Sequence, residues 1–260
     1  MTSLLTNASA MTALQTLSST NKNLGVTQNR IATGERVSTA SDNAAYWSIA
    51  TSMRTQSGAL GAVQDALGLG AAILDTASSA LEEAINKTKE IVQKYVARAT
   101  PGTDTAAIDA EITQLKAQVV SIATNADFQG VNMLKTGGTA AAIVTGYQPG
   151  AAPTTMSVAA YDLQAALGAA TDTMTVDTAL KAMQSAAATI GAAKTRVDSQ
   201  KSFTSKLVDS IERGVGQLVD ADMNKESARL AALQTQQQLG IQALSIANSS
   251  SQSLLSLFRG

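Results

Sequence analysis

Apolar side chains near the N-terminus return every seven residues. Ala10, Leu17, Leu24 and Ile31 form one row, with Leu14, Asn21 and Gln28 on the interleaved row. The far end repeats the pattern. Leu233, Gly240, Ala247 and Leu254 share one row, and Leu230, Gln237, Leu244, Ser251 and Phe258 the other. A seven-residue period belongs to helices that bury a stripe along a partner helix. Polar and small interruptions weaken such a seam and help specify its register. The spacing suits a coiled-coil pair, and equally two amphipathic helices of an ordinary bundle.

Between the ends, residues 43–99 contain no proline. Leu60, Val63, Leu67, Leu74, Leu81, Ile85 and Val92 step by three, four or seven, which predicts one long helix with Asp42 as its N-cap. At ~1.5 Å per residue it would run on the order of 80 Å, too long for a compact domain. Gly58, Gly61, Gly68 and Gly70 weaken this helix or mark a close helix–helix approach. The turn ATPGTD (99–104) leads into a second helix over 105–124, capped by Thr103 or Asp104 and folded back as a hairpin. From 135 to 175 the composition shifts to Gly, Ala, Thr and Pro. There AAIVTGY and TTMSVAAY flank QPGAAP and predict one β-hairpin. A helical stripe resumes near Val176, running through Met183, Ile190, Val197, Phe203, Leu207 and Ile211. Gly214 and Gly216 are expected to mark a joint before the last helix.

The expected fold is mainly α: an elongated helical bundle or coiled coil with paired terminal helices and one small β-hairpin region. Its predicted parts are an N-terminal helix (1–33), a linker (34–42), a long helix with a helical hairpin (43–135), a short insertion (136–175), a C-terminal bundle helix (176–213) and a terminal helix (214–260).

Composition sharpens this picture. Hydrophobic residues make up 45% of the chain but aromatic ones only 3%, which suits thin helices better than a ring-rich core. No charged side chain occurs in residues 1–21 or 230–258. A helix with a wet face normally carries charges there, so both ends are expected to be covered by protein. The net charge of −1 gives no broad basic field for nucleic acid. Cysteine and histidine are absent, which removes disulfides, thiol nucleophiles, the commonest general base and the commonest metal ligand. No catalysis, cofactor or metal is expected. The N-terminus lacks a basic segment followed by an apolar one, so no cleaved signal peptide is expected. No run of about 18 consecutive apolar residues occurs, and no membrane insertion is expected.

Several blocks in order carry a resemblance. NRIATGERVSTASDNAAYWSIA, ALGLGAAILDTASSALEE and IDAEITQLKAQVVSIATNADFQGVNML resemble the N-terminal region of bacterial flagellins. LGIQALSIANSSSQSLLSLFRG resembles the flagellin C-terminus. AAYWSIA and QDALGLGAA are similar to the short alphaproteobacterial type, which lacks large outer domains. The resemblance implies a structural subunit that self-polymerises into the flagellar filament for swimming motility. It implies secretion through the flagellar export apparatus, and helical ends that are disordered in the monomer and pack as an inner tube on assembly. The implied partners are other copies of itself, other flagellins, an export chaperone, and hook-associated and cap proteins. The implied inner-core interface includes Leu14, Leu17, Leu24, Ile31, Leu230, Leu233, Leu244, Ala247, Leu254 and Phe258.

Residues 29–50 read as a joint. Gly34 is expected to end the first helix, Asp42 to start the next, and Arg30, Glu35 and Arg36 to be free for subunit contacts. The same segment resembles the one a plant receptor kinase reads in flagellins. Here Tyr46 and Trp47 replace a Gly-Leu pair and Asn43 replaces an Asp. An animal-receptor surface would involve Lys87, Ile91 and Glu111. These departures imply weak detection by both. Two alternatives share some features. A hook–filament junction protein has flagellin-like ends. STNK (19–22), SDN (41–43) and KTG (135–137) mimic the short signatures of serine β-lactamases, a remote serine hydrolase reading.

Overall fold

The computed structural model describes residues 7–258; beyond residue 250 the only side chain described is that of Ser253. The expected interface positions Leu254 and Phe258 therefore lie outside the described side chains. Among the described residues are six helices and two small antiparallel sheets. The fold is mainly α with small β-hairpins. The chain divides into two compact units, residues 1–54 with 212–260, and residues 55–211.

The first unit is built on two antiparallel helices, α1 (Ala8–Thr33) and α6 (Met223–Phe258). Asn7 caps α1, its side chain accepting from the Ala10 N–H and donating to the Ala247 carbonyl at 3.0 Å. Further along, the Gln237 amide donates to Asn21 at 2.8 Å, and Arg30 meets Glu226. Gly240 lets α6 approach Leu17: a Cβ there would lie 3.2 Å from Leu17 Cδ1. Leu17, Leu24, Ile31, Leu230, Leu244 and Ala247 are half-buried along this seam, and Leu233 is buried. Leu14 corrects the expected second row, because it is 59% exposed. That row is Ala13, Thr20 and Thr27, three residues after each member of the first row, and the two threonines are buried. Seam positions alternate by three and four residues, and the row four residues on rotates away from the partner.

The second unit contains residues 55–98 of α2 (Ala44–Arg98), α3 (Thr105–Asn125) and residues 173–211 of α5 (Thr173–Val219). Between α3 and α5 lie β1 (Asp127–Phe128), β2 (Val131–Asn132), β3 (Ala141–Gly146), β4 (Thr154–Val158) and α4 (Leu163–Gly168). Leu67, Leu74, Leu81 and Ile91 of α2 pack into one core with Val119, Met133, Leu134, Leu163, Leu167, Met183 and Val197. By length and composition alone α2 would pass for a membrane span, but its inward stripe belongs to this core. Asp104 caps α3 by accepting from the Ala106 and Ala107 N–H groups. The β3–β4 hairpin places Ile143 opposite Met156 and sits directly on α2. A Cβ at Gly70 would fall 2.5 Å from Ile143 Cγ2, so this glycine is the close approach. Gly58, Gly61 and Gly68 face open space.

Three local expectations are corrected. The α5 stripe passes through buried Thr204, while Phe203 is exposed. The β1–β2 turn and α4 lie where no regular element was expected. Asn132 organises the first of these, its amide donating to the Ala123 and Thr124 carbonyls and its oxygen accepting from the Leu134 and Lys135 N–H groups. Finally, α5 continues through Gly214 and Gly216 to Val219. Each glycine admits a neighbour: a Cβ at 214 would lie 2.8 Å from Met53 Cε, and one at 216 would lie 2.7 Å from Asp220 Oδ2. Burial of Val215 and Val219 offsets the intrinsic helix cost of glycine, about 1 kcal/mol. The break falls at Asp220–Asp222, and Asp222 caps α6.

Candidate assembly site

Two helix breaks face each other within the first unit. The chain leaves α1 at Gly34, which is left-handed at φ 73° and returns its N–H to the Arg30 carbonyl. It leaves α5 after Val219. Glu35 and Asp220 then pair as an antiparallel bridge. The Val219 carbonyl accepts from the Arg36 N–H at 2.6 Å and the Val37 N–H at 3.3 Å. The Ala221 N–H donates to the Gly34 carbonyl at 2.9 Å. Backbone groups released by one helix end thus satisfy those released by the other. Val37 and Val219 are buried and close the clasp with apolar contact surface.

Side chains reinforce it, and this corrects the expectation that three of them stand free. Arg30 pairs with Glu226, Glu35 with Arg54, and the Arg36 guanidinium donates to the Leu218 carbonyl at 2.9 Å. A helix break exposes carbonyls, and a guanidinium with several donors is suited to satisfy them. Asp42 is also reassigned. Its carboxylate accepts from the backbone and hydroxyl of both Ser38 and Thr39. These bonds, the Thr39 N–H foremost, hold its pKa below the usual carboxylate range. The cap of α2 is Asn43, whose side chain accepts from the Tyr46 N–H at 3.1 Å.

Along α1 and α6 the buried residues, among those described, are Thr20, Thr27, Glu226 and Leu233. Two hydroxyls, a carboxylate and one leucine make a poor core. Away from the seam both helices expose mainly uncharged polar residues, with several large apolar ones among them: Met11, Leu14 and Val26 on α1, and Leu239, Ile241 and Ile246 on α6, the last at 68%. These largely uncharged helices therefore also expose several large apolar side chains.

Among the described residues no group of His, Cys, Asp or Glu could hold a metal. Ser19 is exposed and donates to the Thr16 carbonyl of its own helix. Ile91, expected on a receptor-facing surface, is fully buried in the core of the second unit because it falls on the inward stripe of α2. Lys87 pairs with Glu90, and Glu111 with Lys94. Tyr46 and Trp47 are exposed at the start of α2.

Comparison with known families matches the model described as the bacterial flagellin N-terminal helical region over residues 4–139, and the bacterial flagellin C-terminal helical region over 173–258. The chain belongs to the bacterial flagellin family. A flagellin of Brucella melitensis biotype 1 is 52% identical over 282 aligned positions, spanning all of both chains. Flagellin C of Rhizobium meliloti strain 1021 is 42% identical, and a flagellin A of Rhizobium meliloti 40%, again over all of both chains. This flagellin is accordingly a structural subunit that self-polymerises into the extracellular flagellar filament. Its two matched regions leave residues 140–172 between them, and these hold the β3–β4 hairpin and α4.

Proposed function

We propose that α1 and α6 are the polymerising module of this flagellin, and that the clasp at 34–37 and 218–221 holds them in register for assembly. The observation that carries this reading is how little the pair buries. Its seam fully buries only Thr20, Thr27, Glu226 and Leu233 among the described residues, with its other leucines half-buried, while Leu14, Ile241 and Ile246 are exposed. Covering such side chains contributes about 1–2 kcal/mol each, since part of their surface is already shielded. Ordering each residue costs about 1–2 kcal/mol in the backbone, so a pair with so small a core gains stability when neighbouring copies cover it. Covering a surface free of charges leaves no ion stranded without solvent.

The same reading extends to the life of the subunit. Ends that are weakly held alone suit passage through the flagellar export apparatus in an unfolded state, with a chaperone, and without a cleaved signal peptide. Hook-associated and cap proteins then meet the filament ends, and other flagellins with matching surfaces can enter it. The chain catalyses nothing and needs no cofactor.

The test is seeded growth. Purified chain alone should elongate filament seeds, and Leu14→Asp should abolish elongation while leaving the second unit folded. Elongation by Leu14→Asp at the wild-type rate would refute the role of this face. A requirement for a second protein to elongate would favour the hook–filament junction reading.

A further inference from the structure

The seam face of α1 is a choice between two rows. Ala10, Leu17, Leu24 and Ile31 are flanked on one side by Ala13, Thr20 and Thr27, and on the other by Leu14, Asn21 and Gln28. At about 3.6 residues per turn the two flanks stand roughly 100° apart, so rolling α1 by roughly 50° would exchange them. Burial of apolar surface favours the flank that holds Leu14. The structure takes the other: Thr20 and Thr27 are buried, while Leu14, Asn21 and Gln28 are exposed. Thr20 tolerates burial because its hydroxyl donates to the Thr16 carbonyl at 2.9 Å. Asn7 and Asn21, which reach α6 at Ala247 and Gln237, belong to the leucine row and do not oppose the roll.

What opposes it stands at the base of the helix. Arg30 follows Thr27 by three residues, on the threonine side, and meets Glu226 at 3.3 Å. Glu226 is the only acid in residues 223–260, and residues 1–33 contain none. Its side chain is 8% exposed. The roll would carry Arg30 away from α6 and leave this carboxylate buried without its counter-charge, which is strongly unfavourable. Gly34, seven residues after Thr27, joins the clasp from the same edge through its carbonyl.

We propose that the Arg30–Glu226 pair selects the facing of α1. It holds the threonine row inward against the apolar preference for the leucine row, and so keeps Leu14 outward. The selection is a property of the single chain; only its use in assembly rests on the reading of α1 and α6 as the polymerising module.

Two reporters test this while leaving Leu14 in place. In the full-length wild-type chain, Gln28→Cys should react quickly with a maleimide and Thr20→Cys slowly. With Arg30→Met and Glu226→Met together the order should invert, each rate changing at least about tenfold as one position is covered and the other opened. The exchanged pair, Arg30→Glu with Glu226→Arg, should restore the wild-type order. Leu14→Asn added to the methionine variant should restore it too, because the apolar gain is gone. Wild-type labelling of both reporters in the methionine variant overturns the proposal. Fast labelling of both also overturns it, since the pair would then hold α1 down without choosing its face. Inverted labelling with wild-type growth on seeds keeps the selector and overturns the assembly role of the Leu14 face alone.

Discussion

Arg30 Nη1 and Glu226 Oε1 meet 3.3 Å apart across the seam between α1 and α6, next to the clasp. The Glu226 side chain is only 8% exposed, and its second carboxylate oxygen has no hydrogen-bond partner. This charge pair stands where the seam needs register more than area. Removing one partner of a nearly buried pair strands the other. Arg30→Ala should therefore cost about 3 kcal/mol of α6 stability, while the double change Arg30→Met with Glu226→Met should be close to neutral. Amide exchange over residues 226–233 checks both. Equal losses in the single and double variants would show that the pair acts only by packing.

Glycine positions along α2 should separate sharply by environment. Gly70→Ala drives a Cβ into three atoms of Ile143 and should cost about 1–3 kcal/mol as the hairpin is pushed off the helix. Gly61→Ala meets nothing within 4 Å and should instead stabilise the helix by about 0.5–1 kcal/mol. Thermal unfolding of the two variants should move in opposite directions. A shift of the same sign in both would contradict the packing described.

The turn held by Asp42 should respond to acid. Its folded pKa lies below the ordinary value of 3.8, chiefly through the Thr39 N–H bond. A depressed carboxylate pKa means a contribution fully present above the unfolded value and lost as pH falls through the folded one. The turn at 38–42 should thus be intact at neutral pH and loosen only below pH 3.8. Carboxyl chemical shifts and the Ser38 and Thr39 amide signals report this directly. Asp42→Asn should weaken the turn and remove its acid dependence; a turn that loosens identically in that variant would exclude Asp42 as the cause.

The segment 29–50 should be a weak label for a plant receptor. Tyr46 and Trp47 bring rings where the recognised pattern has Gly-Leu, and rings obstruct close backbone approach. A synthetic 29–50 peptide should elicit a weaker oxidative burst than the same peptide carrying Asn43→Asp, Tyr46→Gly and Trp47→Leu. Equal bursts would exclude these positions as determinants.

Much of the architecture was legible in the sequence, for physical reasons that also explain the misses. The stripe Leu67, Leu74 and Leu81 announces an inward helix face, and ATPGTD and QPGAAP announce turns, because backbone geometry restricts what can stand there. The rows of α6 were readable because Leu230, Leu233 and Leu244 carry them. On α1 the true second row holds two threonines, Thr20 and Thr27, so the apolar Leu14 drew attention to the wrong face. That face is the one we propose for assembly. Gly214 and Gly216 looked like a break because propensity does not see that Met53, far along the chain, fills the space beside Gly214, or that Asp220, four residues on, fills that beside Gly216. Arg30, Glu35 and Arg36 looked free because their partners, Glu226, Arg54 and Leu218, include groups nearly 200 residues away. Ile91 shows the reverse error: a resemblance suggested a surface role, while its own period on α2 places it in the core.

The central claim is that the outward faces of α1 and α6 are covered by neighbouring copies. The chain has no cysteine, so single thiols can be placed at will. Leu14→Cys and Ile246→Cys should react with a maleimide in monomers and be protected in seeded filaments, while Thr100→Cys, exposed in the turn before α3, should stay reactive in both. Equal labelling of positions 14 and 246 in monomer and filament would contradict the account.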